Sequence, residues 1–218
     1  MKKLLIIGGK GNGTLVLTVV ENINKFHKEW EVLGFLNDRE VDPIMGFPIL
    51  GKVEPNVVNK YLKDPEVYFF YALISVKLNF NFLPKLESLK IPRTRFATLV
   101  DPSAVIANNV KIGYGTCISP LCCINSYSRI GDFVQIWSQV IIATGAILKN
   151  YSYVAANSYI GAYVEMSEGA YVGPSVSILE FVKMGKWSLA GMGSVVVKDV
   201  PEYTKVVGNP SRIIGEVK

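Results

Sequence analysis

Histidine and cysteine are scarce in this chain of 218 residues, which contains one histidine, His27, and three cysteines, Cys117, Cys122 and Cys123. A zinc site built on several imidazole ligands is therefore excluded, and one position alone can supply an imidazole base. The cysteines are odd in number and clustered, which does not suit the disulfide framework of a secreted protein. We expect no metal cofactor and no disulfide scaffold.

Charged residues are also few, at 19% of the chain, and half of the residues are apolar, which excludes a disordered protein. The net charge of +5 is mild, and no run mixes basic residues with stacking aromatics. No apolar stretch approaches the ~18 residues that span a bilayer, and the opening apolar run stops at Gly8, too early for a signal peptide. These absences predict a cytoplasmic protein with no nucleic-acid partner and no membrane partner.

The second half of the chain repeats with a period of six. Every sixth residue is apolar without one insertion, and a small or β-branched residue stands two places before it. The apolar positions are Val100, Ile106, Ile112, Ile118, Ile124, Ile130, Ile136, Ile142, Leu148, Val154, Ile160, Met166, Val172, Ile178, Met184, Ala190 and Val196. This period fits neither a helix nor an alternating strand. It predicts a parallel β-helix in which three short strands make one rung of ~18 residues.

The first ~95 residues follow a different pattern, in which short apolar runs alternate with helical spacing. The predicted strands are Leu4–Ile7, Glu31–Leu36 and Val67–Ile74, and the predicted helices are Thr14–Phe26 and Leu78–Leu89. Alternating strands and helices indicate a small parallel α/β sheet. We therefore predict an α/β domain over residues 1–95 and a β-helix domain with a C-terminal tail over residues 96–218.

Two features of the first domain have both a structural and a functional interpretation. The glycine-rich turn Gly8–Gly13 lies between a strand and a helix, where backbone N–H groups and the helix dipole favour a phosphate. It lacks the dinucleotide-binding and P-loop spacings, so a purely conformational role is an equal alternative. Asp38 ends the next strand, where it could accept a ribose hydroxyl or a base N–H, or could simply cap a turn.

The other candidates are weaker. Cys122 occupies a small position of the repeat, which favours packing over redox chemistry. His27 ends the first predicted helix and is expected at the surface. Basic residues become more frequent after Phe181. They could form a solvated rim or bind the phosphates of a nucleotide-bearing cofactor.

The end of the repeat carries a resemblance to a known family. Gly191–Pro201 followed by Val207–Arg212, with its closing Gly-Asn-Pro-Ser-Arg, resembles the left-handed β-helix acyltransferases. Three further segments narrow this resemblance to the sugar acyltransferases that act on nucleotide-linked sugars. They are Ile7–Gly13, Phe35–Asp38 and Asp101–Ala104. That family includes the bacillosamine and perosamine N-acetyltransferases and the sialic acid O-acetyltransferases.

The resemblance implies a left-handed β-helix, a homotrimer and an acyl-CoA co-substrate, acetyl-CoA or another short acyl-CoA, lying between neighbouring β-helices. It places the nucleotide-linked sugar on Gly8, Gly9, Lys10, Gly11, Asn12, Gly13, Asn37 and Asp38. It places acyl-CoA on Ala162, Gly173, Lys183, Lys186, Met192, Gly193, Lys198 and Arg212.

The chain departs from this family at the catalytic position. Family members typically have a histidine two residues past an inward isoleucine, followed by an acidic residue, whereas here Thr144 and Gly145 follow Ile142. A sugar hydroxyl needs a positioned base to attack a thioester at neutral pH. An amine of pKa ~8 is partly neutral at pH 7 and is already nucleophilic. Thr144 could hydrogen-bond the amine or a water, but it is not a strong base.

The missing histidine therefore favours N-acylation of a nucleotide-linked dideoxy amino sugar. The anthrose-pathway N-acyltransferase of the same family indicates dTDP-4-amino-4,6-dideoxyglucose as the acceptor. The alternatives are a sugar O-acetyltransferase of the sialic acid type and an inactive protein that binds a nucleotide sugar or CoA.

Overall fold

The structure, a computed structural model, describes residues 1–74 and 79–217. The chain divides into two compact units, Met1–Pro102 and Ser103–Lys218. Each unit has a core of its own, and each is described separately below. Among the described residues, no helix combines the length and the apolar character needed to cross a membrane.

The first unit is built on a small parallel sheet. The strands of this unit are β1 (Lys2–Ile7), β2 (Trp30–Leu36), β3 (Ile49–Gly51), β4 (Val67–Tyr71) and, outside that sheet, the short β5 (Leu99–Val100). Its helices are α1 (Asn12–Phe26), α2 (Pro55–Leu62) and α3 (Leu83–Ser88), with 3-10 turns at Asn79–Phe82 and Arg93–Arg95. The four-stranded sheet has the order β3-β2-β1-β4, and all of its pairs are parallel.

The core of this unit lies around β1, whose residues Leu4–Ile7 are fully buried. A parallel strand covered on both faces is expected to be a continuous apolar run, as this one is. Helix α1 packs through Val16, Val19 and Val20, which are also buried and recur at helical spacing.

Two predictions for this unit, the strand Val67–Ile74 and the helix Leu78–Leu89, differ from the structure, and two elements were missed. Strand β4 ends at Tyr71, because Tyr71 pairs with Ile7, the last residue of β1. Leu78 lies outside the described residues, and the rest of its predicted helix is a 3-10 turn followed by α3. Pro84 stands at the start of α3, where its ring favours a helix beginning. Strand β3 and helix α2 were not predicted, because β3 has three residues and α2 buries only Val58.

The second unit is a parallel β-helix made of two-residue strands. They are β6 (Val105–Ile106), β7 (Lys111–Ile112), β8 (Cys117–Ile118), β9 (Cys123–Ile124), β10 (Arg129–Ile130), β11 (Gln135–Ile136), β12 (Ile141–Ile142), β13 (Ile147–Leu148), β14 (Tyr153–Val154), β15 (Tyr159–Ile160), β16 (Glu165–Met166), β17 (Tyr171–Val172), β18 (Ser177–Ile178), β19 (Lys183–Met184), β20 (Leu189–Ala190) and β21 (Val195–Val196). A C-terminal antiparallel hairpin, β22 (Thr204–Val207) and β23 (Arg212–Glu216), follows them.

The strands stack into three faces. Face 1 contains β7, β10, β13, β16 and β19, face 2 contains β8, β11, β14, β17 and β20, and face 3 contains β6, β9, β12, β15, β18 and β21. Neighbours on a face pair in parallel at a constant separation of 18 residues, as Ile112 pairs with Ile130 and Ile130 with Leu148. From Ile118 to Val196 every predicted apolar position is buried. The hexapeptide prediction of a parallel β-helix is confirmed.

The corners between faces contain residues in the left-handed backbone region. One residue per corner has a positive φ, at intervals of six, and many are not glycine: φ is +57° at Phe133 and +62° at Tyr151. Such a conformation costs roughly 1–2 kcal/mol in a residue with a Cβ. The corner rings stack on one another from rung to rung, with centroids 5.4 Å apart for Phe133 and Tyr151. This stacking offsets part of the strain.

Candidate functional site

In the first unit, the predicted nucleotide-binding residues follow the carboxyl ends of adjacent strands. β1 ends at Ile7 and continues into the glycine-rich turn, while β2 ends at Leu36 and continues into Asn37 and Asp38. In an open parallel α/β sheet, ligands bind at this edge, where neighbouring connections diverge. The topology therefore brings the two predicted segments to one edge.

Asn37 joins these two segments. Its Nδ2 donates to the carbonyl oxygen of Gly8 at 2.9 Å, and its Oδ1 accepts the N–H groups of Arg39 at 2.7 Å and Glu40 at 2.8 Å. A Cβ at Gly9 would collide with the Asn37 amide nitrogen, so a larger residue there would displace the Asn37 amide. Asn37 is therefore a scaffold residue that fixes the edge of the cleft.

Asp38 is held by two donors. Its Oδ1 accepts the Val53 N–H at 2.8 Å, and its Oδ2 accepts Lys85 Nζ at 2.6 Å. Partial burial raises the pKa of the Asp38 carboxyl, but the hydrogen bonds from Lys85 and Val53 outweigh burial, so the pKa lies below its ordinary value. The carboxylate is therefore charged at neutral pH and neutralised locally by Lys85.

These residues line one cleft with a volume of about 660 Å³. Its lining residues are Gly9, Lys10, Asn37, Asp38, Arg39, Glu40, Val53, Tyr71, Leu73, Asn81, Phe82 and Lys85. At its floor, the hydroxyl of the buried Tyr71 donates to the carbonyl oxygen of Phe82 at 3.3 Å. Burial, and the negative charge of Asp38, raise the pKa of Tyr71, so its hydroxyl stays protonated and acts as a donor. A mixed polar and apolar cleft of this size suits a small ligand.

The rest of the glycine-rich turn lies at the start of α1, outside this lining. Gly11 precedes the helix with a φ of +94°, and a Cβ there would meet nothing within 4 Å. The Nδ2 of Asn12 donates to the Ile74 carbonyl at 2.6 Å, and Gly13 packs against Phe35. Lys10 pairs with Glu40 at 3.1 Å. Of the predicted set, the cleft thus collects Gly9, Lys10, Asn37 and Asp38, while Gly8 and Gly11–Gly13 shape its border.

In the second unit, Thr144 belongs to a ladder of residues 18 apart at the corner between faces 3 and 1. The ladder, called the Thr144 ladder below, consists of Thr144, Ala162 and Glu180, and Lys198 follows the last strand of face 3. Backbone bonds hold its rungs, since Tyr163 N–H donates to the Thr144 carbonyl at 3.0 Å and Phe181 N–H donates to the Ala162 carbonyl at 2.9 Å. At ~4.8 Å per rung, the distance from Thr144 to Glu180 is roughly 10 Å. Thr144 itself is half-buried.

A second group of predicted acyl-CoA residues lies at the corner between faces 2 and 3. Gly193 N–H donates to the Pro174 carbonyl at 2.9 Å, and a Cβ at Gly173 would lie 2.8 Å from the Met192 nitrogen. Gly173, Met192 and Gly193 are therefore neighbours, and the Met192 side chain is exposed.

The predicted basic residues lie elsewhere. The backbone N–H of Lys183, on face 1, donates to Asp199 Oδ1 at 2.8 Å, and Lys186 Nζ pairs with Glu168 at 3.1 Å. Arg212 begins strand β23. Within one chain the predicted acyl-CoA residues are thus distributed over all three corners, face 1 and the C-terminal hairpin.

The two remaining candidates from the sequence are Cys122 and His27. Cys122 is buried, and its Sγ donates to the Trp137 carbonyl at 3.1 Å, as a packed small residue would. His27 is exposed and lies 3.3 Å from Glu29. In the described parts of the chain, no group of three or more His, Cys, Asp or Glu side chains is arranged to hold a metal ion.

Several site residues were not found from the sequence. Tyr71 could have been found, because it ends a strand at the same sheet edge as Ile7. Lys85 could not, because it lies on α3, 47 residues from its partner Asp38. The ring of Tyr163 next to Gly145 depends on the 18-residue stacking and on corner geometry that the hexapeptide pattern does not reveal.

No protein-family model matches the chain. Among curated proteins, an acyl-[acyl-carrier-protein]–UDP-N-acetylglucosamine O-acyltransferase from Verminephrobacter eiseniae is 32% identical over 88 residues, which are 40% of this chain and 34% of that protein. The chain thus spans about a third of the length of that relative.

Two solved structures match nearly the whole chain. WeeI from Acinetobacter baumannii superposes with a TM-score of 0.80 at 22% identity, over 98% of this chain and 100% of the other. A mutant GDP-perosamine N-acetyltransferase from Caulobacter crescentus, in complex with CoA and GDP-perosamine, has a TM-score of 0.76 at 23% identity, over 99% and 98%. These matches show a shared fold, and they confirm the resemblance at the level of fold.

The Asp38 interactions lead to a pH-dependent prediction. Because the folded-state pKa of Asp38 is lowered, its charge stabilises the fold above the unfolded-state pKa of ~3.9, and this contribution is lost as the pH falls through the folded-state value. Asp38→Asn should therefore lower the melting temperature at pH 7, and the difference from the unsubstituted protein should shrink below about pH 4. Circular dichroism melts measure both. Asp42→Asn, at an exposed position, is the control; equal melting temperatures at pH 7 would contradict the role of Asp38.

Proposed function

We propose that this chain, which shares its fold with the sugar N-acetyltransferases named above, moves an acetyl or short hydroxyacyl group from acyl-CoA to the amine of a nucleotide-linked dideoxy amino sugar. The observation that carries the proposal is the convergence of Gly9, Lys10, Asn37 and Asp38 on one cleft at the carboxyl edge of the sheet. There the nucleotide diphosphate would meet Gly9 and Lys10, and the base would meet Asp38 and Lys85.

The acyl-CoA would run along the Thr144 ladder. Its thioester would lie near Thr144, its pantetheine arm would pass Ala162, and its phosphates would meet Lys198. The small side chains of Thr144 and Ala162 occupy little space at this corner, and the exposed Glu180 lies one rung beyond Ala162. Lys183, Lys186 and Arg212 would add positive charge for the CoA phosphates.

The reaction would need no side-chain base. The neutral amine nitrogen attacks the thioester carbonyl carbon, the C–S bond breaks, and its electron pair leaves on the CoA sulfur. The proton lost by the amine ends on that thiolate or on water. Proximity and orientation supply the acceleration, and Thr144 hydrogen-bonds the amine or a water. We choose dTDP-4-amino-4,6-dideoxyglucose as the acceptor on the resemblance to the anthrose-pathway enzyme, with the product serving cell-surface polysaccharide synthesis in the cytoplasm.

We also propose that the working form is a homotrimer assembled through face 3. Three outward side chains of this face are large and exposed: Val105 at 68%, Ile141 at 43% and Tyr159 at 44%. Large apolar and aromatic side chains exposed on one face favour an interaction site. Two of the corners with predicted acyl-CoA residues flank face 3, so a second copy packed there would bring Gly173, Met192 and Gly193 of one subunit toward the Thr144 ladder of another.

The first test offers acetyl-CoA with dTDP-, UDP- and GDP-linked 4-amino-4,6-dideoxy sugars. We expect release of CoA thiol and a product heavier by one acyl group in the mass spectrum. Because only the neutral amine attacks, kcat/KM should rise about tenfold per pH unit below the amine pKa of ~8 and level off above it.

The matched controls are the same sugars with a hydroxyl in place of the amine. Turnover with the hydroxyl sugars alone would replace the proposal with O-acetylation. Binding of CoA without turnover on any amine would indicate a binding protein.

Thr144 is expected to have a small effect on the rate. Thr144→Ala should lower kcat by about threefold to tenfold, the size of one lost hydrogen bond. Thr144→Ser keeps the hydroxyl and should retain most of the rate. A Thr144→Ala rate within twofold of the unsubstituted protein would show that the hydroxyl has no role.

The oligomer is tested with a charge on face 3. Ile141→Lys should convert the trimer to monomers in size-exclusion chromatography with light scattering, because the lysine charge would be desolvated in the interface. Ile147→Lys changes the equivalent outward position on face 1 and is the matched control. A trimer that survives Ile141→Lys would exclude face 3 as the interface.

A further inference from the structure

Tyr163 occupies a restricted position beside the Thr144 ladder. It is the left-handed corner residue of its rung, with a φ of +56°, and its N–H donates to the Thr144 carbonyl at 3.0 Å. One side of its ring stacks on Phe181, with centroids 5.3 Å apart and planes 9° apart. On the other side is Gly145, where a Cβ would lie 2.6 Å from the Cδ1 and Cε1 atoms of Tyr163. The ring therefore fills the space that a side chain at position 145 would need.

This packing fixes the ring but leaves it accessible. Tyr163 is 56% exposed although both sides of its ring are in contact, so the exposed part includes the rim that carries the hydroxyl. A tyrosine has two side-chain torsions, and the Gly145 backbone and the Phe181 ring restrain both. The corner thus presents a preorganised phenol one residue along the chain from Ala162 and one rung from Thr144 and Gly145.

We propose that the phenol of Tyr163 donates a hydrogen bond to the carbonyl oxygen of the acyl thioester. This inference rests on the proposed function, in which the thioester lies near Thr144 and the pantetheine arm passes Ala162. As the amine nitrogen bonds to the carbonyl carbon, negative charge develops on that oxygen, and a fixed donor stabilises it without reorganising. The phenol keeps its proton throughout. The C–S electron pair leaves on sulfur, and the amine proton goes to the thiolate or to water.

With this assignment, the two hydroxyl groups at this corner hydrogen-bond to different substrates. Thr144 contacts the acceptor amine or a water, while Tyr163 contacts the acyl donor. A phenol can donate a hydrogen bond to a carbonyl oxygen, which a methyl group or a glycine cannot do. A chain without an imidazole at this corner would thereby retain electrostatic stabilisation of the transition state while dispensing with general-base catalysis.

The kinetic test is Tyr163→Phe, which retains the stacked ring and removes the hydroxyl. We expect kcat to fall by about 10- to 100-fold, within or below the range for loss of one oxyanion donor, and KM for acetyl-CoA to change by less than about threefold. Tyr151→Phe is the matched control, because Tyr151 is also a left-handed corner residue and stacks on Phe133 at another corner. A kcat for Tyr163→Phe within twofold of the unsubstituted protein would overturn the proposal.

A binding test separates this proposal from the proposed function. S-(2-oxopropyl)-CoA carries a carbonyl but cannot transfer an acyl group, and CoA lacks the carbonyl. By titration calorimetry, Tyr163→Phe should weaken binding of the oxopropyl analogue by about 5- to 10-fold and leave CoA binding unchanged. Equal losses for both ligands, or none, would overturn the role of Tyr163. Absence of transfer to any amine sugar, with the analogue effect present, would instead overturn the choice of acceptor.

Discussion

The hydrogen-bonded stacking of one rung on the next at a constant step of 18 residues is the constraint on which the second unit depends. Each two-residue strand is too short to be stable alone. Parallel pairing above and below satisfies its backbone groups, and one inward aliphatic side chain per strand forms the core. The same step aligns residues that are far apart in sequence, so the Thr144 ladder exists only because no insertion interrupts the repeat.

Burial within each rung could be predicted from the sequence, whereas contacts between rungs could not. The inward positions were predictable because burial demands apolar side chains at a fixed period, and from Ile118 to Val196 the structure buries them all. The left-handed corners were not, because bulky residues such as Tyr151 are unfavourable there by local preference alone. Their rings are accommodated by stacking between rungs, a tertiary effect. Helix α2 escaped prediction for a similar reason, since it buries one residue and leaves little periodic signal.

In the cleft of the first unit, too, local features could be predicted from the sequence and a long-range contact could not. The strand ends and the glycine-rich turn could be read locally, and the parallel topology brings them to one edge. The electrostatic partner of Asp38 could not, because Lys85 approaches from α3 through a contact that only the folded chain creates. A carboxylate compensated by an ammonium group presents an acceptor and a donor side by side.

The contact of Gly145 with the Tyr163 ring restricts which residues positions 145 and 163 can accept. A side chain at position 145 and a ring at position 163 compete for one volume, and position 145 is also in the left-handed region, at a φ of +72°. A single mutation that introduces an acidic residue at 145 would meet both a steric clash and backbone strain. A side chain at position 145 therefore requires a smaller or displaced side chain at position 163. The two positions are coupled through this one volume.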